Sequence, residues 1–491
     1  VFIGERERWE GEMSHTEVLN PDPVTGSPTE SPAPSSNPMN VRRVLLLALP
    51  IVGENILQTG VGAVDTLLVS RIGDDAIAGV GIGAELVFFL LAILSAVSIG
   101  ATVLVAQAIG AGDRDRANLF ARQAISWGIL ISIPLSILGF LFSDSLIGLF
   151  NAEPEVSQLA VEYFEVIAVT VIVLLLSYLC GAVLRGSGDS RTPLKAAVLA
   201  NIFNIFFSYG LAFGEFGMPE LGVAGTAWGA TIGRGIAAIY MMRVLWLGRS
   251  TISIHARTGW LPKWNVGTRL FRLGIPAAIE QLLVEGGFLA LVVIVASIGT
   301  NALAAQQIAF TAMSLGILPG FAFAIAATAL VGQSIGAKEH EDARKASSIA
   351  QRLCLGWMVV GAIPLFLFAR PILAFFSQDA EVIDIGTNGV RAIALSLPLW
   401  GAWSVSAGAL RGSGDTRSPM LRGVFAVWLS VLLGWIGVKF FDQTVAYVWG
   451  IFALTLPIAV FGNIRAFYRR SRELEINEPE TFEIPAAGYH P

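Results

Sequence analysis

Between Val44 and Ala466 the chain is an almost continuous succession of apolar stretches, twelve of them, each long enough to cross a bilayer as a helix. A spanning helix takes about 20 mainly apolar residues, whereas a barrel strand takes about 9–11. Inside hydrocarbon no water satisfies exposed amides, so only helices and closed barrels are tolerated. The expected spans are 44–70, 78–109, 118–142, 158–184, 194–213, 223–247, 268–298, 302–335, 346–369, 381–410, 420–440 and 443–466. Their lengths select helices. With 54% hydrophobic and only 14% charged residues, the chain reads as an all-α polytopic membrane protein.

Orientation follows from Lys and Arg. Of 32 such residues, 25 lie before the first span, after even-numbered spans or beyond the last, while only Arg71, Arg370 and Lys439 lie in the opposite loops. Both termini are therefore expected in the cytoplasm, with the chain in the plasma (inner) membrane. Residues 1–41 are rich in Pro, Ser, Glu and Asn in their polar part and lack an apolar signal core, so a disordered cytoplasmic tail is expected there. A second tail is expected over 467–491. The two cysteines fall in spans and imply no disulfide framework, and a net charge of -5 predicts no nucleic-acid partner. The four histidines, His15, His255, His340 and His490, lie in tails or basic loops, which leaves no intramembrane histidine metal or haem site. No HExxH, DxxxD or nucleophile-elbow motif occurs either, so enzyme chemistry is not expected.

The chain also repeats itself. LRGSGDSRTP (184–193) returns 226 residues later as LRGSGDTRSP (410–419), and the same shift places Pro50 on Pro276, Glu54 on Glu280, Gln107 on Gln333 and Gly110 on Gly336. Two homologous halves result: an N-lobe at 42–247 and a C-lobe at 268–466, joined by a basic linker at 248–267. Six spans per half is an even number. The lobes are therefore parallel repeats about an axis along the membrane normal, an arrangement suited to alternating access. Each decapeptide is expected to connect two helices, with Gly186 or Gly412 as a left-handed cap and Thr192 or Ser418 as the next N-cap. Its spacing is not that of a phosphate-binding loop.

Charged residues inside a membrane cost about 2.5–3.5 kcal/mol each on insertion scales, which makes them functional candidates. Glu54, Gln58 and Asp65 share one face of the first span. Asp65 is matched in the repeat by Leu291, so the aspartate belongs to the N-lobe alone. Asn201, Asn204 and Ser208 share a face of the fifth span. A carboxylate with amide oxygens can hold Na+, or the carboxylate can take a proton. Glu54, Gln58, Glu280, Gln281 and Gln306 are candidates for a substrate cleft, although Glu54 and Glu280 fit equally a symmetric structural pair.

Twelve spans in two parallel halves, VDT in the first span, RGSGD[ST]R[ST]P after the fourth and tenth, and FGMPELGVAGTAWGAT leading into the sixth resemble the MATE family of multidrug and toxic compound extrusion transporters, in particular its prokaryotic DinF/NorM-like members. The resemblance covers about residues 42–466. It implies cation-coupled export of organic, often cationic and aromatic compounds, with H+ or Na+ as the coupling ion and no cofactor. It further implies that Asp65 is the coupling residue, with Asn201 and Thr231 beside it, and that Pro50 is the hinge of the first helix. Two departures are visible: Ile205 stands where some archaeal members carry an aspartate, and Ser396 and Trp400 occupy the C-lobe acidic positions of sodium-driven members. The expected partners are a small organic cation and the lipid bilayer, with the chain acting as a monomer. A flippase for lipid-linked or amphiphilic substrates is the alternative.

Overall fold

The computed structural model describes residues 38–256 and 258–476, apart from the side chains of 314–316, 318 and 319. The N-lobe contains α1 (Val41–Ser70), α2 (Asp74–Gly110), α3 (Arg114–Leu141), short α4 (Ser143–Gly148), α5 (Pro154–Val169), α6 (Val171–Gly186), α7 (Arg191–Phe213) and α8 (Gly222–Trp246). The C-lobe contains α9 (Trp264–Ala296), α10 (Thr300–Gly336), α11 (His340–Leu367), short α12 (Ala369–Phe376), α13 (Ala380–Gly412), α14 (Arg417–Phe441) and α15 (Val445–Ile476). Counting α5 and α6 as one bent rod, these are the twelve expected spans in order.

The packing is two-fold in pattern. Within the N-lobe α2 lies on α5 and α6, α7 on α8, and α1 on α7; within the C-lobe α10 lies on α13, α14 on α15, and α9 on α14. The lobes meet through α1 on α10, α9 on α2, and α2 on α10. Crossing helices approach closely at glycines. A Cβ on Gly274 would overlap the Ala96 carbonyl, and one on Gly100 would overlap that of Leu270. α2 is buried almost continuously from Ala96 to Ala106, whereas Gly81, Glu85, Phe88 and Phe89 nearer its start are exposed. The seam is thus tight in the half that carries the two decapeptides.

Four expectations change. The fourth span is not one helix: α5 and α6 are bent by 57° at Thr170, while its C-lobe counterpart α13 runs on through Pro398. The tails are shorter than 1–41 and 467–491, because α15 stays helical to Ile476 and the backbone N–H of buried Met39 donates to Asp342 Oδ2 at 3.0 Å. The disorder expected of residues 1–37 and 477–491 lies outside the described residues. The linker is likewise shorter than 248–267, since α9 starts at Trp264. Gln123 secures the linker to α3, donating to the Gly259 and Leu261 carbonyls and accepting from the Lys263 N–H at 2.7 Å.

The decapeptide also differs in detail. Gly188 and Gly414, not Gly186 and Gly412, take positive φ, +92° and +85°. The Asp189 N–H donates to the Leu184 carbonyl and the Gly188 N–H to that of Arg185, with the same pair repeated at Asp415 and Gly414. This is a Schellman closure in both lobes. Capping of α7 is by Asp189 rather than Thr192: its Oδ1 accepts from the Arg191 and Thr192 N–H groups, and Thr192 Oγ1 donates to its Oδ2 at 2.6 Å. A carboxylate that accepts several donors outcompetes a hydroxyl for the cap. Asp415 Oδ1 likewise accepts from the Ser418 N–H, at 3.0 Å.

Candidate functional site

Asp65 sits five residues before the end of α1, half-buried, facing α7 and α8. α8 is held against α7 by Gly225, Gly229 and Gly233, spaced by four. A Cβ at Gly229 would overlap the Ser208 backbone, and one at Gly233 would stand 3.0 Å from the Asn204 nitrogen. Small residues at this spacing let helices approach to backbone contact. Asn204 and Ser208 are thereby buried and oriented. Ser208 Oγ donates to Asn204 Oδ1 at 2.6 Å, which turns the Asn204 amide nitrogen to Asp65 Oδ2 at 3.2 Å. The other carboxylate oxygen, Asp65 Oδ1, is buried with no hydrogen-bond partner among the described residues.

Asn201 does not reach the aspartate. Its amide donates instead to the Leu57 carbonyl of α1 at 2.8 Å. α1 itself passes through Pro50 without interruption. Thr231 is buried on α8 and meets Thr170 hydroxyl to hydroxyl at 3.1 Å, at the break between α5 and α6. Arg234, one turn further along α8, brings a positive charge into the neighbourhood of Asp65 and Tyr163. Thr170 and Tyr163 carry no signal in the sequence, whereas Arg234 is legible there, with Arg391, as a cation inside a span.

The cleft candidates separate. Gln58 and Gln281 are exposed. Gln306 is 1% exposed within the C-lobe aromatic cluster, accepting from Trp449 Nε1 at 3.3 Å. Glu54 is held by Arg185, whose Nη1 lies 3.1 Å from both carboxylate oxygens, and Glu280 by Arg411 at 2.7 Å. Both arginines come from the decapeptides. The 226-residue shift carries this acid and base together from one lobe to the other, a signal that sequence comparison contains but that only the fold turns into a contact.

Among the described residues the C-lobe has no counterpart of the Asp65–Asn204–Ser208 cluster. Leu291 and Val427 replace Asp65 and Asn201 and are fully buried, while Trp400 packs on Phe288 and Phe452. A groove of about 580 Å³ between α9 and α14, lined by Trp428, Trp435, Leu289 and Val293, carries no charged side chain. The MatE family model matches residues 50–210 and again 276–436, two blocks offset by the same 226 residues.

The chain belongs to the MatE family. This MatE protein is 33% identical over 420 residues, 85% of its length and 90% of the relative's, to the "Probable multidrug resistance protein NorM" of Thermotoga maritima. It is 28% identical over 394 residues to the multidrug resistance protein PmpM of Pseudomonas aeruginosa, covering 79% of this chain and 82% of that one. Its fold matches an outward-facing multidrug resistance MATE family transporter of the MOP superfamily at a TM-score of 0.82 and 21% identity, over 89% of this chain and 97% of the other. A MOP superfamily transporter from Pyrococcus furiosus, with a binding pocket of reverse polarity, also matches at 0.82 and 21%, over 89% and 96%.

Proposed function

We propose that this MatE protein is a secondary antiporter that exports organic, cationic or amphiphilic compounds, drugs and toxins among them, in exchange for H+ or Na+. The observation that carries the reading is Asp65: an intramembrane carboxylate with one oxygen on an oriented amide and the other buried without a partner among the described residues. Such an oxygen is an open position for a proton or a coordinated cation. Asn204 supports it directly, while Asn201 and Thr231 support the walls that hold it. Arg234 supplies a positive charge that competes with the ion for Asp65, which favours release once the chamber faces the other side.

The ion enters from the outer face, neutralises Asp65 and shifts α1 about Pro50, and substrate leaves. The unloaded protein then returns to face inward, where it takes up substrate again. Both termini lie in the cytoplasm of the inner membrane by the charge bias of the loops. The monomer is the working unit, since the chamber is built from one lobe. The names of the curated relatives, multidrug resistance proteins, support the substrate class.

The test is efflux of a fluorescent organic cation from proteoliposomes under an imposed proton gradient and, separately, a sodium gradient, with Asp65→Asn alongside. Export driven by one gradient and lost in Asp65→Asn is expected. Full export by folded Asp65→Asn would remove the N-lobe coupling site. Absence of export by the parent under either gradient would favour a flippase.

A further inference from the structure

The two decapeptides do more than join helices. A Schellman closure satisfies the carbonyls two and three residues back from a helix end but leaves the last two without backbone donors. In α6 these are Gly186 and Ser187, and in α13 they are Gly412 and Ser413. Ser187 O accepts from Thr251 Oγ1 at 3.1 Å and Ser413 O from Arg470 Nε at 3.2 Å, each within its own half or its flanking segment. The remaining pair is satisfied from the opposite lobe. Gln107 Nε2 of α2 donates to Gly412 O at 3.0 Å, and Gln333 Nε2 of α10 donates to Gly186 O at 3.0 Å.

The surroundings are built for this exchange. α2 and α10 cross where a Cβ on Gly110 would overlap the Gln333 carbonyl and one on Gly336 would overlap that of Gln107. Gly332 stands over Ala106, where an added Cβ would be 2.9 Å away. The left-handed glycines of the decapeptides face the same glutamines: a Cβ on Gly188 would lie 3.3 Å from Gln333 Nε2, and one on Gly414 would lie 3.5 Å from Gln107 Nε2. Thr102 and Thr328 fix each receiving helix to its own lobe, donating to the Ala182 and Gly408 carbonyls at 3.2 and 3.0 Å.

The geometry points to a reciprocal latch: Gln107 and Gln333 each cap the decapeptide helix of the other lobe, hold the basic face of the transporter shut, and let go when that face opens. It rests on the alternating-access reading above. Neutral amide-to-carbonyl bonds suit the task, because at an aqueous face both partners find water when the lobes part. Each bond then shifts the closed-to-open ratio by only about fivefold, and both together by about 30-fold. A pair of buried ion pairs would lock rather than latch. This also explains why one polar word is spelled twice: the same strike plate is needed once per lobe.

The test uses the full chain in liposomes, with Cys180 and Cys354 replaced by Ala and Ala106→Cys as reporter. Ala106 is 0% exposed against Gly332 across the seam, so its modification by a thiol reagent requires the lobes to part and its rate follows the open fraction. Gln107→Ala and Gln333→Ala should each raise that rate about fivefold, equally by symmetry, and the double variant about 30-fold. The isosteric Gln→Glu pair, which keeps size but cannot donate when ionised, should act likewise and guards against a packing defect. A double variant that folds and labels within twofold of the parent overturns the latch. Labelling needs no transport, so faster labelling without any export would uphold the latch and reject the antiporter, while export by the parent with unchanged labelling in the variants would do the reverse.

Discussion

Removing Arg411 should damage this protein more than removing the acid it holds. Glu280 is 4% exposed in its side chain and 2.7 Å from Arg411 Nη2, whereas Arg411 itself is 24% exposed. Arg411→Met leaves a carboxylate with neither water nor a counter-ion, a situation that costs about 3–5 kcal/mol when a buried pair loses one member. Glu280→Gln leaves a guanidinium that reaches solvent and an amide that still accepts, so its cost is smaller, about 1–2 kcal/mol. The double variant Glu280→Gln/Arg411→Met should fall between them, recovering part of the loss. In the N-lobe both partners, Glu54 and Arg185, are 14% exposed and 3.1 Å apart, so Arg185→Met should cost less than Arg411→Met, about 1.5–3 kcal/mol. Reversible unfolding in mixed micelles of rising SDS fraction, followed by tryptophan fluorescence, reads these differences. A stable Arg411→Met, or a double variant no better than it, would refute the clip and return Glu280 to the substrate cleft. Tighter binding of an organic cation by Arg411→Met would point the same way.

Two further outcomes follow from the geometry. Asn204→Leu removes the side chain that, among the described residues, is bonded to Asp65 and should weaken coupling-ion affinity about 10- to 100-fold, the worth of a hydrogen bond to a charged group; replacing Asn201, which is bonded to Leu57 O, by Leu should affect it less, and the opposite order in a gradient-driven efflux assay would contradict the site. Gly274→Val forces side-chain carbon into the Ala96 carbonyl across the seam and should lower the unfolding free energy by more than the usual about 1–3 kcal/mol of overpacking, because backbone rather than a flexible side chain must move. Gly450→Ala, with nothing within 4 Å of the added carbon, is the control.

The chain announces its class in one dimension. Length and polarity of the spans reflect the solvent each residue meets, so twelve helices, their order and the lobe repeat are readable without any tertiary contact. Helical phase is also local, which is why Asp65 stands out against Leu291 and why Asn201 and Asn204 fall on one face. How one helix rotates and slides against another is not local. That decided which asparagine reaches Asp65, since the glycines of α8 set the depth of α7 by backbone contact. It decided that Arg185 and Arg411, legible as topology signals at the basic face, reach back to acids 131 residues away. It decided the break at Thr170, where no proline or glycine stands and a hydroxyl on a neighbouring helix meets the bend. The exchange of Gln107 and Gln333 between lobes lies furthest from sequence, since it depends on where two six-helix bodies touch, and that is settled by the summed shape of both.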